Sequence, residues 1–130
     1  MVDESMIRAQ MTGDDFRRLV SAFYLRVRGD DLIGPMYPDQ DWAGAEKRLA
    51  DFLCFRLLGE TTYIEERGHP RLRGRHMPFS IGAAERDRWL ALMEGAMVDT
   101  KVPELSAALL VPFFRQIADF MRNRDEPAGA

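Results

Sequence analysis

Two histidines and one cysteine are the only imidazole and thiol ligands in this chain of 130 residues. His69 and His76 stand in one segment, and neither an HExxH run nor a paired-cysteine pattern accompanies them, so no zinc motif can be assembled. The lone Cys54 cannot form an intramolecular disulfide and fits a reducing compartment. It lies in an otherwise apolar helical stretch, where a buried structural thiol is expected rather than a nucleophile. Long apolar runs are missing as well. The longest, Ala107 to Phe114, falls far short of the ~20 residues that span a bilayer, so no membrane role is expected. Basic excess is absent: a formal charge of −3 argues against a nucleic-acid binder. Asp3 and Glu4 occupy the place where a secretory signal carries its cations, which points to a cytoplasmic protein. There is no internal repeat, and no segment alternates with period two.

What the chain does contain is helical spacing. With 46% hydrophobic and 30% charged residues it reads as one ordinary globular domain over 1–130, with frayed ends at about 1–6 and 125–130. The spacing predicts a helix from Thr12 to Arg28, capped by Thr12 with Asp15 and ended by Gly29. Phe16, Leu19, Val20, Phe23, Tyr24 and Val27 share its apolar face. A linker holding Gly34-Pro35 and Tyr37-Pro38 follows. A second helix begins after Asp41 with Trp42, Ala45, Leu49, Phe52, Leu53 and Leu57 inward, and Gly59 closes it. A third runs from Gly82 to Val98 with Trp89, Met93, Ala96 and Met97 inward. The last runs from Pro103 to Asn123, with Leu105, Leu109, Phe113, Ile117, Phe120 and Met121 as its face. Pro112 is expected to kink that helix or divide it.

Four long helices allow an up-down bundle or a crossed two-over-two sandwich. The stretch from Glu60 to Gly82 is too long for a bundle turn, and a segment of that kind in a small domain is more often functional. It carries both histidines, with about two helical turns expected between Pro70 and His76. By itself, a lone histidine in a basic segment is more often a surface residue than a ligand. One imidazole cannot hold a bare metal ion tightly, but it can be the axial ligand of haem, where the porphyrin supplies the other four donors. Tyr24, Tyr37 and Trp89 likewise read by themselves more readily as core aromatics bonded to nearby backbone carbonyls than as polar hydrogens gathered for a ligand.

A family resemblance bears on these alternatives. The loop reads Gly68-His69-Pro70-Arg71-Leu72-Arg73-Gly74-Arg75-His76-Met77-Pro78-Phe79. Elsewhere the chain has Phe23-Tyr24, Tyr37-Pro38, Ala43-Gly44-Ala45-Glu46-Lys47-Arg48-Leu49 and Glu85-Arg86-Asp87-Arg88-Trp89-Leu90. Taken in their order along the chain, over roughly residues 13–125, these segments resemble the group II truncated haemoglobins. Trp42 departs from the family, which usually has an aliphatic residue there.

The resemblance implies an all-α truncated-globin fold, a two-over-two helical sandwich around haem b, with a long irregular loop and a short helix before the proximal histidine. It implies His76 as the iron ligand and Tyr24, Tyr37 and Trp89 as hydrogen-bond donors to bound O2, CO or NO. Ala45 would stand where many globins have a distal histidine, with Leu49 one turn on. Arg48, Tyr63 and Arg75 would meet the propionates, and Phe52, Phe79, Ile81 and Met93 the porphyrin. The expected function is reversible binding of small diatomic ligands by a monomer or homodimer. A peroxidase-like or nitric oxide-consuming enzyme served by a separate reductase is one rival. A haem-free helical sensor or interaction domain is the other.

Overall fold

The computed structural model describes residues 5–37, 41–59 and 82–121, with Phe120 and Met121 described as backbone only. Among them every regular element is helical. Helix α1 spans Ser5–Gln10 and α2 spans Gly13–Arg28. Thr12 starts α2 as the sequence predicts. Its hydroxyl accepts the Asp15 N–H at 3.3 Å, while its own N–H donates to the Asp15 carboxylate at 2.8 Å. All six residues of the expected stripe, from Phe16 to Val27, are buried. Gly29 closes the helix, its N–H bonded to the Arg26 carbonyl.

The linker is ordered by Asp30, whose carboxylate accepts the N–H groups of Leu32 at 3.0 Å and Ile33 at 2.8 Å. A 3-10 turn, Gly34–Met36, follows with Pro35 in its first turn and hands the chain to Tyr37. Gly34 is required here by space. A Cβ on it would stand 2.8 Å from the Val27 carbonyl oxygen, so only glycine lets the linker lie back against the end of α2.

Helix α3, Trp42–Leu58, is capped by Asp41, which accepts the Gly44 N–H at 3.1 Å. Gly59 ends it in the left-handed region, φ 77°, with its N–H reaching the Cys54 and Phe55 carbonyls. Cys54 is a buried thiol on this helix. Helix α4 spans Ala83–Asp99, and the buried Glu85 carboxylate accepts the Gly82 N–H at 2.7 Å at its start. Helix α5 is one element, Glu104–Met121.

Two expectations about α5 change. It is not divided at Pro112; both Pro112 and Ala108, whose carbonyl loses its helical partner, are exposed, where water can replace the lost bond. Its buried side chains are Ser106, Leu110, Phe113, Phe114 and Ala118, a face turned by one residue from the expected one. Leu105, Leu109 and Ile117 are only partly buried. The second half of that face, Phe120 and Met121, lies outside the described side chains.

Helix α2 packs on both α3 and α4, α4 packs on α5, and α1 bridges α5 and α3. The short α1 was not apparent from the sequence. It is held by the fully buried Ile7 and by a hydrogen bond at 2.5 Å from the buried Ser106 hydroxyl to the Gln10 side chain. Phe16, Phe23, Leu19, Leu53, Leu57, Met93, Leu110 and Phe114 form the centre of the core. Each such side chain contributes about 1.5–3 kcal/mol by leaving water. Ion pairs fasten the outside: Arg26 to Asp99 through two bonds of 2.8 and 3.0 Å, Arg86 to Asp119 at 2.6 Å, and Arg28 to Glu46 at 3.3 Å. All are substantially exposed, so they orient helices more than they stabilise them. No helix among the described residues is long and apolar enough to cross a membrane.

Two measurements test this packing. Gly34→Ala must displace backbone, so urea unfolding should show a loss of about 1–3 kcal/mol, the usual cost of overpacking. An unchanged midpoint would show that the linker yields freely. The second concerns acid. Asp15 is held below its ordinary value chiefly by the Thr12 N–H, and Asp99 by its bond to Arg26. At Asp30 burial pushes upward, but the Ile33 N–H, Arg88 and the Leu32 N–H together hold the carboxyl down. These carboxylates therefore stabilise the fold fully above their unfolded value and lose that contribution as pH falls through the lowered folded values. Stability should decline below about pH 5, and Asp30→Asn should flatten the decline.

Candidate functional site

The centre of interest is where α2, the linker and α3 meet. Tyr24, on the last turns of α2, is only 4% exposed. Tyr37, just past the 3-10 turn, stands edge-on to it with ring centroids 5.4 Å apart and planes at 85°. Trp42, the first residue of α3, lies 5.5 Å from Tyr37 and 6.4 Å from Tyr24. The Arg28 guanidinium sits over the Trp42 ring at 5.8 Å. Trp89 of α4 reaches the same region through Phe23, 5.2 Å away, and rests on Phe114 at 5.8 Å on its other side. Phe23 in turn meets Tyr24 at 5.0 Å. The structure thus joins Tyr24 and Tyr37 directly and connects Trp89 to them through Phe23.

The two phenols are coupled. Burial pushes Tyr24 well above the ordinary phenol value, and the charge of and hydrogen bond to Tyr37 push it further. Burial also raises Tyr37, while its bond with Tyr24 and the nearby Arg48 cation work the other way. Both phenols therefore remain neutral donors at physiological pH. Two hydroxyls carry two hydrogens, and one bond between them uses only one. The pair keeps a second hydrogen for another acceptor.

The family model of the bacterial-like globins matches residues 10–123. The chain belongs to the bacterial-like globin family. This globin is 41% identical to the group 2 truncated hemoglobin YjbI of Bacillus subtilis over 80 residues, which is 62% of this chain and 60% of that protein. That match therefore spans less than two thirds of the relative. Two-on-two hemoglobin-3 of Arabidopsis thaliana is 29% identical over 123 residues, 92% of this chain and 70% of its own. Among solved structures, a thermostable hemoglobin from Thermobifida fusca superposes with a TM-score of 0.85 at 43% identity, covering 92% of this chain and 97% of that one. The group II truncated hemoglobin of Bacillus anthracis gives 0.84 at 32% identity, covering 94% and 93%. The resemblance to group II truncated haemoglobins and the two-over-two helical fold expected from it are both borne out.

Within this globin, Ala45 and Phe52 are buried on α3 and Leu49 is partly buried. Met93 is completely enclosed by protein. Arg48 is exposed and paired with Asp41 at 3.5 Å, yet its charge is felt by both phenols, which puts a cation beside the pair. His76, Tyr63, Arg75, Phe79 and Ile81 lie outside the described residues, as do His69 and the turns expected between Pro70 and His76. Among the described residues no group of three His, Cys, Asp or Glu could hold a metal ion. The member of the cluster that sequence reasoning placed only in the core is Trp42. The available signal was its position directly after the Asp41 cap, on the far side of the linker from Tyr37.

The coupling of the phenols has an asymmetric consequence. Tyr37→Phe removes the charge and the bond that raise Tyr24, so Tyr24 should ionise at lower pH. Tyr24→Phe removes the bond that holds Tyr37 down, so Tyr37 should ionise higher. Ultraviolet difference titration in alkali reads both, and shifts of the same sign in the two variants would disprove the coupling.

Proposed function

We propose that this globin binds haem b through His76 and reversibly holds dioxygen and related diatomic ligands beside Tyr24, Tyr37 and Trp89. The observation that carries the reading is the buried pair of neutral phenols with a donor hydrogen to spare. Such a pair suits an acceptor that is small, uncharged on entry and partly negative once bound. The surroundings suit haem: Ala45 is small, Phe52 is apolar, and the Arg48 charge is within reach of the pair. The names of the relatives support the same reading, and one structural neighbour, at 34% identity and a TM-score of 0.80, is described as a truncated oxygen-avid haemoglobin from Bacillus subtilis.

Haem, which His76 would hold, would supply an iron able to bind a diatomic ligand reversibly. Everything else is the chain's work. One hydroxyl of the Tyr24–Tyr37 pair donates to the other and the remaining hydrogen is donated toward the ligand, while the raised ionisation keeps both phenols protonated. The Trp89 indole N–H adds a third donor from α4. Arg48, Tyr63 and Arg75 would bind the propionates, and Leu49, Phe52, Phe79 and Ile81 would exclude water from the porphyrin edge, with Met93, enclosed by protein, behind them. Ala45 leaves room for a ligand to pass α3.

Spectra of the haem-loaded protein test the ligation. Wild type should show a sharp Soret band with histidine-ligated ferrous–CO features. His76→Gly should lose them and recover them with added imidazole. A free-haem spectrum in both proteins would rule out the reading. The donors are tested by ligand release: a charge-assisted hydrogen bond is worth ~1.5–3 kcal/mol, so Tyr24→Phe should speed oxygen dissociation about ten- to a hundredfold. Equal rates would remove Tyr24 from the ligand site.

A further inference from the structure

The three donor side chains come from three separate elements, and something has to hold those elements in register. Tyr24 is fixed by the core stripe of α2. Tyr37 follows a linker, and Trp89 stands on α4. One side chain ties the last two together. Arg88, the residue before Trp89, reaches out of α4 and bonds Asp30 at 2.5 Å, with a weaker contact to Asp31 at 3.3 Å.

Asp30 is an unusual anchor for a surface arginine. Its side chain is 8% exposed, whereas that of Asp31 is 95% exposed. The same carboxylate already accepts the Leu32 and Ile33 N–H groups, and the Asp30 carbonyl accepts the Gly34 N–H at 3.1 Å. Ile33 is the cap of the 3-10 turn that ends at Tyr37. A continuous run of bonds therefore leads from Arg88 through Asp30 and the turn to the Tyr37 ring. The charge pair is partly screened on the Arg88 side, whose side chain is 42% exposed, so its contribution to overall stability is modest. Its directional effect is not modest, because each bond acts on the short linker alone.

We propose that the Asp30–Arg88 pair is a latch that positions Tyr37 relative to Trp89 and so sets the hydrogen-bonding geometry around the ligand. The proposal deepens the ligand-binding reading and rests on it. Asp30 and Arg88 touch no ligand in this scheme; they act as positioning residues.

Four variants test the latch. Asp30→Asn keeps an oxygen for the linker N–H groups but cancels the charge. Arg88→Met keeps an apolar stem without the cation, and Arg88→Lys restores the charge. Asp31→Asn is the control for general electrostatics. In the haem-loaded ferrous–CO protein, Asp30→Asn and Arg88→Met should broaden or split the CO stretching band and speed oxygen release several-fold. Arg88→Lys should restore a single band near that of wild type, and Asp31→Asn should leave it in place. In the haem-free protein, Tyr37 should ionise at lower pH in the first two variants, because a loosened ring is better hydrated.

Wild-type bands and release rates in Asp30→Asn and Arg88→Met, with only a lowered melting temperature, would overturn the latch and leave the ligand-binding reading intact. An equal disturbance by Asp31→Asn would overturn it as well. If wild type forms no ferrous–CO band, the ligand-binding reading fails instead. The tyrosine titration, which needs no haem, then still decides whether Arg88 positions Tyr37.

Discussion

A phenol taken out of water must keep a hydrogen-bond partner, and leaving one unsatisfied costs about 1–3 kcal/mol. Tyr24 is under that constraint because the apolar stripe of α2 carries it into the core along with Phe23 and Val27. Its partner, Tyr37, is not on a neighbouring helix but on the linker that leaves the same helix. The chain must therefore double back within a few residues. Gly34 makes room against Val27, Asp30 gathers the linker N–H groups, and Trp42 closes over both rings at the start of α3. Removing any one of these leaves the hydroxyl pair harder to maintain.

Much of this was legible in the sequence, and the reason differs by element. Helix α2 has a capping box, a clean 3.6-residue stripe and a closing glycine, so propensity, pattern and punctuation agree, and the structure follows residue for residue. Helix α3 is bounded as cleanly by Asp41 and Gly59. In α5 the doublets Leu109-Leu110 and Phe113-Phe114 leave the phase ambiguous. Contact with α1, through Ser106 and Gln10, accompanies the observed phase. The six residues of α1 have too short a pattern to read, with Ile7 as their one buried member.

The candidate site divides in the same way. Tyr24 and Trp89 sit on long helices whose inner faces could be read, so their burial or packing followed from periodicity. The meeting of Tyr37 with Trp42 depends on how a linker turns, and no repeat encodes that. The Asp30–Arg88 contact joins residues 58 positions apart. Surface charges carry no periodic signal, so a bond of this kind is visible only once the helices are assembled.

Cys54 has a consequence outside the ligand site. It is the chain's sole thiol and is shut inside α3, between the buried Leu53 and the partly buried Phe55. A folded molecule therefore offers thiol reagents and disulfide exchange almost nothing to attack. Modification at Cys54 has to wait for the packing around α3 to open. The rate of labelling then becomes a clock for that opening, built into the protein without any added probe.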